Sequence, residues 1–185
     1  MISDMLGHAL WGTDAAAFRC QFSLEHEAQG LVLSFVVDEP MIISQKRGFN
    51  ENVHLDNCVE MFIRFDGDEG YYNLEVNCFG SLKLAYGPNR HDRVFLPIAV
   101  LQRIQDSVRA VVRTDTAGAH WEISMQVGWD VFVHTVRPGG RACVNFTKCG
   151  GSVNDNYLSW VAIDTPQPDF HRPEFFREIS FERFV

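Results

Sequence analysis

A chain of 185 residues, 46% hydrophobic and 22% charged, is long enough for one compact domain with a sizeable core and too apolar to stay disordered. Its net charge of −8 lacks the clustered Lys and Arg that a phosphate backbone requires, which excludes nucleic acid as a partner. No apolar run approaches the length of a membrane-spanning helix, so no membrane partner is expected.

The N-terminal stretch MISDMLGHALWGTDAA lacks the basic and then apolar pattern of a signal peptide. Strand-like runs follow. Leu31–Val37 places Leu31, Leu33, Phe35 and Val37 on one face and ends at Asp38-Glu39-Pro40. LDNCVEMFIRFDGDEGYYNLEVNCFG, residues 55–80, reads as a hairpin turning at Asp66–Glu69. Val59, Met61, Ile63 and Phe65 share one face of its first strand, and Tyr72, Leu74, Val76 and Cys78 share one face of its second. The register that makes these faces coincide pairs Met61 with Leu74 and sets Glu60 against Glu75. Like charges directly opposite destabilise a sheet, so the pair requires a cation, a shared proton, a ligand or wide exposure. A structural network through Arg64, Lys83 or Lys148 is the plainest solution.

Ser81–Tyr86 continues the hairpin as a meander, and Pro97–Ile104 predicts a short helix with proline in its first turn. Ser107–Arg113 and Trp121–Val127 form a second strand pair, Trp129–His134 a further turn of helix, Arg141–Lys148 another strand, and Glu178–Phe184 the last. Trp121 and Trp160 are expected in the core. Many short strands between turn signals predict an all-β fold, an antiparallel β-sandwich with one or two short helices, as a single domain over residues 1–185. The proline-stiffened loop Asp164–Arg177, with Phe170, His171, Arg172, Phe175 and Phe176, has the make-up of a fixed functional surface, Phe175 and Phe176 anchoring it.

Five cysteines are too many by one for full pairing and lack CxxC spacing, so no disulfide framework is expected and a reducing, cytoplasmic setting is favoured. The histidines show neither HxxxH nor HxH spacing, which argues against zinc.

DNCVEMFI (Asp56–Ile63), YYNLEVNCFG (Tyr71–Gly80), FTKCG (Phe146–Gly150), LSW (Leu158–Trp160) and DFHRPEFF (Asp169–Phe176), in that order, resemble the family 9-like carbohydrate-binding modules. The resemblance runs from about Leu31 to Glu182. It implies a β-sandwich related to DOMON domains and a non-catalytic role, holding the terminal sugars of a poly- or oligosaccharide between two aromatic rings. The first ring position falls on His54, where the family usually has Trp, and the second on Phe170. Glu60 matches the sugar-binding glutamate, Asn77 keeps an amide, and Glu75 stands where sugar-binding relatives place arginine. With Thr147 on the same polar sheet face and His171 and Arg172 at the rim, these are the expected ligand-binding residues. Relatives also hold structural calcium, for which Asp66-Gly67-Asp68-Glu69 offers oxygens without the full spacing of a calcium loop. Two other classes remain open. Opposed Glu60 and Glu75 would have Cβ atoms about 4.5–5.5 Å apart, a spacing compatible with a glycoside-processing enzyme. A DOMON-like interaction domain is the other; its haem-binding form lacks an evident axial residue here.

Overall fold

The alternating stretches pair into two antiparallel sheets whose apolar sides face each other. The computed structural model describes residues 1–150 and 156–181. In chain order its strands are β1 (Ile2–Met5), β2 (His8–Ala9), β3 (Arg19–Glu27), β4 (Gly30–Glu39), β5 (Cys58–Phe65), β6 (Tyr71–Asn77) and β7 (Leu82–Gly87). They continue with β8 (Val94–Phe95), β9 (Arg109–Asp115), β10 (Gly118–Gly128), β11 (Arg141–Cys149), β12 (Tyr157–Ser159) and β13 (Arg177–Ser180). One sheet has the order β1-β3-β4-β10-β9, the other β2-β12-β11-β5-β6-β7-β8. β12 pairs with Thr147–Cys149 of β11 and β13 with Arg141–Val144, so two short strands share one edge of β11.

The expected hairpin register is the observed one: Met61 faces Leu74, Ile63 faces Tyr72 and Glu60 faces Glu75. Leu33, Phe35, Trp121 and Ile123 from one sheet, and Met61, Ile63, Leu74 and Phe146 from the other, are buried in a common core. Phe22 of β3 stacks on Phe146 of β11 with centroids 3.9 Å apart, joining the layers. Trp160 is also buried there. The short helix α1 (Ile98–Gln105) starts one residue later than expected, with Pro97 as its N-cap, and buries Val100, Leu101 and Ile104. It packs on β10 and β7. The turn expected after Gly128 is a single 3-10 turn, Trp129–Val131. The last strand starts one residue earlier than expected, at Arg177, and residues 182–184 of the expected strand lie outside the described residues. β1, β2, β3, β8 and β12 are additional to the expected strands. No helix among the described residues is long and apolar enough to cross a membrane.

Lys148 corrects one expectation. It shares the core-facing side of β11 with Val144 and Phe146, so it cannot reach the glutamate pair on the other face. Instead its Nζ lies 2.8 Å from Glu39 Oε2 and donates to Asn156 Oδ1 at 2.6 Å, while Trp121 Nε1 donates to Glu39 Oε1. Both charged side chains are fully buried. Losing one partner strands the other charge, so Lys148→Ala is expected to cost about 3–5 kcal/mol. A Lys148→Met/Glu39→Gln double variant should cost clearly less, as read by urea denaturation; equal losses would show that the pair is not the source.

Cys58 lies opposite Asn77 on one side and Cys149 on the other, and all five cysteines are free. Burial pushes the Cys58 thiol well above its usual range, which slows attack by thiol reagents. Titration of the unreduced protein should therefore find five thiols after denaturation and fewer fast-reacting ones before it. Three or one after denaturation would show a disulfide.

Candidate functional site

The outward face of the larger sheet carries a polar row across five strands. Register places Ser159, Thr147, Glu60, Glu75 and Lys83 side by side on β12, β11, β5, β6 and β7. A second layer roofs this face: Val53, Ile163, Phe170 and Phe176 from the flanking loops pack on Cys58, Phe62, Tyr71 and Cys149 of the sheet. The roof leaves a cavity of ≈ 230 Å³. Glu60 and Glu75 lie among its walls with His54 and Leu55 from the turn before β5. Trp11, Tyr157, Phe170 and His171 add an aromatic side, and Arg90 and Arg93 a cationic one.

The opposed carboxylates are solved differently. Glu75 has the basic partners: Lys83 Nζ at 3.1 Å, the His54 imidazole Nδ1 at 3.7 Å and Arg93 Nη1 at 3.9 Å. Burial by itself would raise its pKa, but His54 and Lys83 outweigh burial and hold Glu75 below the usual carboxylate range. Among the described residues Glu60 has no ion-pair partner. It accepts from Asn73 Nδ2 at 2.9 Å and lies 3.7 Å from the Cys149 thiol. Burial, then the charge of Glu75, push its pKa up to about 7. Below about pH 7 the pair is one anion beside one acid. Arg93 Nη1 also donates to Asn73 Oδ1 at 2.7 Å, turning the amide so that its NH₂ faces Glu60. His171 Nδ1 is bonded to Tyr71 Oη at 2.8 Å; burial, with Arg93 and Arg90 nearby, lowers its pKa to about 2, so the ring is neutral.

Five expected ligand residues therefore meet in one cavity: His54, Glu60, Glu75, Phe170 and His171. Three do not line it. Asn77 accepts from the N–H groups of Phe79 and Ser81 and donates to Gln45 O and Asp56 Oδ2, so its amide is consumed by the turn after β6 and the loop beside it. Thr147 lies next to Glu60 in the row but is fully buried beneath the roof, its Oγ1 bonded to no group among the described residues. Arg172 turns to Glu174, with Nε and Nη2 2.8 and 2.6 Å from Oε1. Lys83 is the neutralising residue among the three considered. Trp11, Tyr157, Arg90 and Arg93 were not anticipated. The arginines sit in Gly87–Arg93, a stretch without strand periodicity, and only the Trp-Gly pair at 11–12 offers a local signal, a turn.

No three His, Cys, Asp or Glu side chains among the described residues converge as metal ligands. Asp66 accepts from Arg141 Nη2 at 2.9 Å and Asp68 from Thr135 Oγ1 at 2.6 Å.

The model of carbohydrate-binding family 9 matches residues 3–181. The chain belongs to this family. Among solved structures, this family 9 chain is similar to a Bacteroides uniformis protein proposed to bind carbohydrate, with 29% identity, 98% of this chain and 87% of that one covered, and a TM-score of 0.83. It shares its fold with family 9 modules from Caldicellulosiruptor kristjanssonii, one in complex with glucose (13% identity, TM-score 0.61, 100% and 85% covered) and one with cellotriose (12%, 0.57, 97% and 81%). No curated protein matches it.

The split between the carboxylates has a measurable consequence. Folded, Glu60 keeps its proton to about pH 7; unfolded, it releases it near 4.5. Its contribution to stability is thus fully present below about pH 4.5 and lost as pH rises through about 7. Glu60→Gln is neutral throughout and escapes that loss. Its unfolding free energy relative to wild type should rise by on the order of 1–3 kcal/mol between pH 4.5 and 8 in urea denaturation. A difference that stays flat with pH would place the proton elsewhere.

Proposed function

We propose that the cavity binds one terminal sugar ring of a poly- or oligosaccharide without altering it. The observation that carries this reading is the pairing, within one small cavity of a family 9 chain, of an aromatic side with a floor of two carboxyls. Pockets for drug-sized ligands measure about 300–1,000 Å³; a cavity of ≈ 230 Å³ suits a single ring. A ring of this kind offers an apolar C–H face to aromatic side chains and hydroxyls to polar ones. Glu75 only accepts hydrogen bonds, whereas Glu60, protonated to about pH 7, also donates one. The glucose and cellotriose complexes of the two Caldicellulosiruptor modules support sugars as the ligand class.

Catalysis is the second reading. A protonated and an ionised carboxyl side by side is the pairing retaining glycosidases use. Against it, Glu75 is already held by Lys83, His54 and Arg93, which weakens it as nucleophile or base.

Calorimetry with glucose, xylose, galactose, mannose and cellotriose, with product analysis alongside, tests both readings. Binding of one or more sugars without products is expected. Glu60→Ala should weaken it roughly ten-fold or more through the lost buried partner. Product formation abolished by Glu60→Gln would support the enzyme, and no binding to any sugar would remove the carbohydrate reading.

A further inference from the structure

The cavity's aromatic side is built around a residue in an unfavourable backbone position. Thr13 N donates to Leu10 O at 3.1 Å, and the two residues between them both have positive φ, 49° at Trp11 and 85° at Gly12. That is the signature of a type I′ turn, whose first central position favours Asn, Asp or Gly. Glycine at the second position meets the demand; tryptophan at the first resists it. The conformation is held by tertiary contacts instead. Trp11 Nε1 donates to Thr165 O at 2.9 Å, and its ring meets Tyr157 at 5.4 Å and Phe170 at 5.3 Å.

These contacts fix the indole without burying it. Its polar edge is satisfied by Thr165, and the ring stays partly exposed in the cavity wall, whereas Phe170 is only 8% exposed. A residue serving the turn alone would be Asn or Gly, and one serving the core alone would be covered. Strained backbone kept in place by its surroundings tends to sit at functional positions. We propose that Trp11 is the platform on which the bound sugar ring lies, with Phe170 and Tyr157 setting its angle. The proposal rests on the sugar-binding reading of the cavity and gives Phe170 a supporting role rather than that of stacking ring.

Trp11 is the one tryptophan among four that lines the cavity, which makes the test spectroscopic. Wild type, Trp11→Phe, Trp11→Asn and Glu60→Ala are titrated with glucose, xylose, galactose, mannose and cellotriose, following both heat and tryptophan fluorescence. In wild type the fluorescence change should track the heat. Trp11→Phe should bind within a few-fold of wild type but lose the fluorescence change. Trp11→Asn suits the turn, so its melting temperature should hold while affinity falls roughly ten-fold or more. A fluorescence change persisting in Trp11→Phe overturns the proposal, as does wild-type affinity in Trp11→Asn. If Trp11→Asn fails to fold, the fluorescence of Trp11→Phe still decides. Sugar binding weakened by Glu60→Ala but not by Trp11→Asn removes the platform and keeps the cavity. No binding by wild type removes both.

Discussion

Two carboxylates set directly against each other under a roof cannot both be ionised cheaply, and the surroundings of Glu60 and Glu75 follow from that constraint. A charge taken out of water must be paired or must give itself up. The sheet uses both routes at once. Lys83, the next residue along the row, neutralises Glu75 from β7, and His54 and Arg93 approach it from the covering loops. With those groups committed to one side, Glu60 is left with the Asn73 amide and keeps its proton to about pH 7. The result is polar but nearly uncharged at Glu60 and anionic at Glu75. A floor of that kind offers both a donor and an acceptor without presenting a large net charge to a neutral ligand.

The opposite face of the same strands meets a buried charge in the other way. Lys148 and Glu39 are both enclosed between the sheets, and the pair persists there because the two groups are 2.8 Å apart and each has a further hydrogen bond. Direct pairing of opposite charges gives a closed structural contact. Opposition of like charges gives an unresolved one, in which a proton and a set of donors remain adjustable. That difference, rather than burial, separates the row over the cavity from the ion pair in the core.

Period-two alternation made the hairpin legible in detail, because a one-residue slip would have turned Met61, Ile63, Leu74 and Tyr72 outward together. The same rule read one strand further would have placed Lys148 with Phe146, in the core. Side chains on the polar face were less legible, since alternation says which face a residue takes but not what reaches it there. Asn77 has the right face and is spent on the turn around Gly80, whose φ of 79° leaves nearby N–H groups for its carbonyl to accept. Arg172 sits in the right loop and is captured by Glu174 two residues on. Trp11, by contrast, reaches the cavity across 154 residues of sequence to Thr165, and no local pattern encodes a contact of that separation.

The walls owe their stiffness to groups that never touch the cavity. Asp56, just before β5, takes both Nε and Nη2 of Arg47 at 2.7 and 2.8 Å and the Asn77 amide at 2.8 Å. Its neighbour Asn57 binds Met41 O and the N–H of Ile43. These bonds tie the loop of residues 41–47 to the end of β6 and fix the turn that carries His54 and Leu55. On the other side, Phe176 packs on Phe62 and Tyr71 at 5.6 and 5.5 Å and pins the loop that carries Phe170 and His171. A cavity assembled from loops would ordinarily spend binding energy on ordering them. Here each loop is already bonded or packed to the sheet beneath it, so a ligand entering between His54 and Phe170 meets walls whose ordering cost folding has already met.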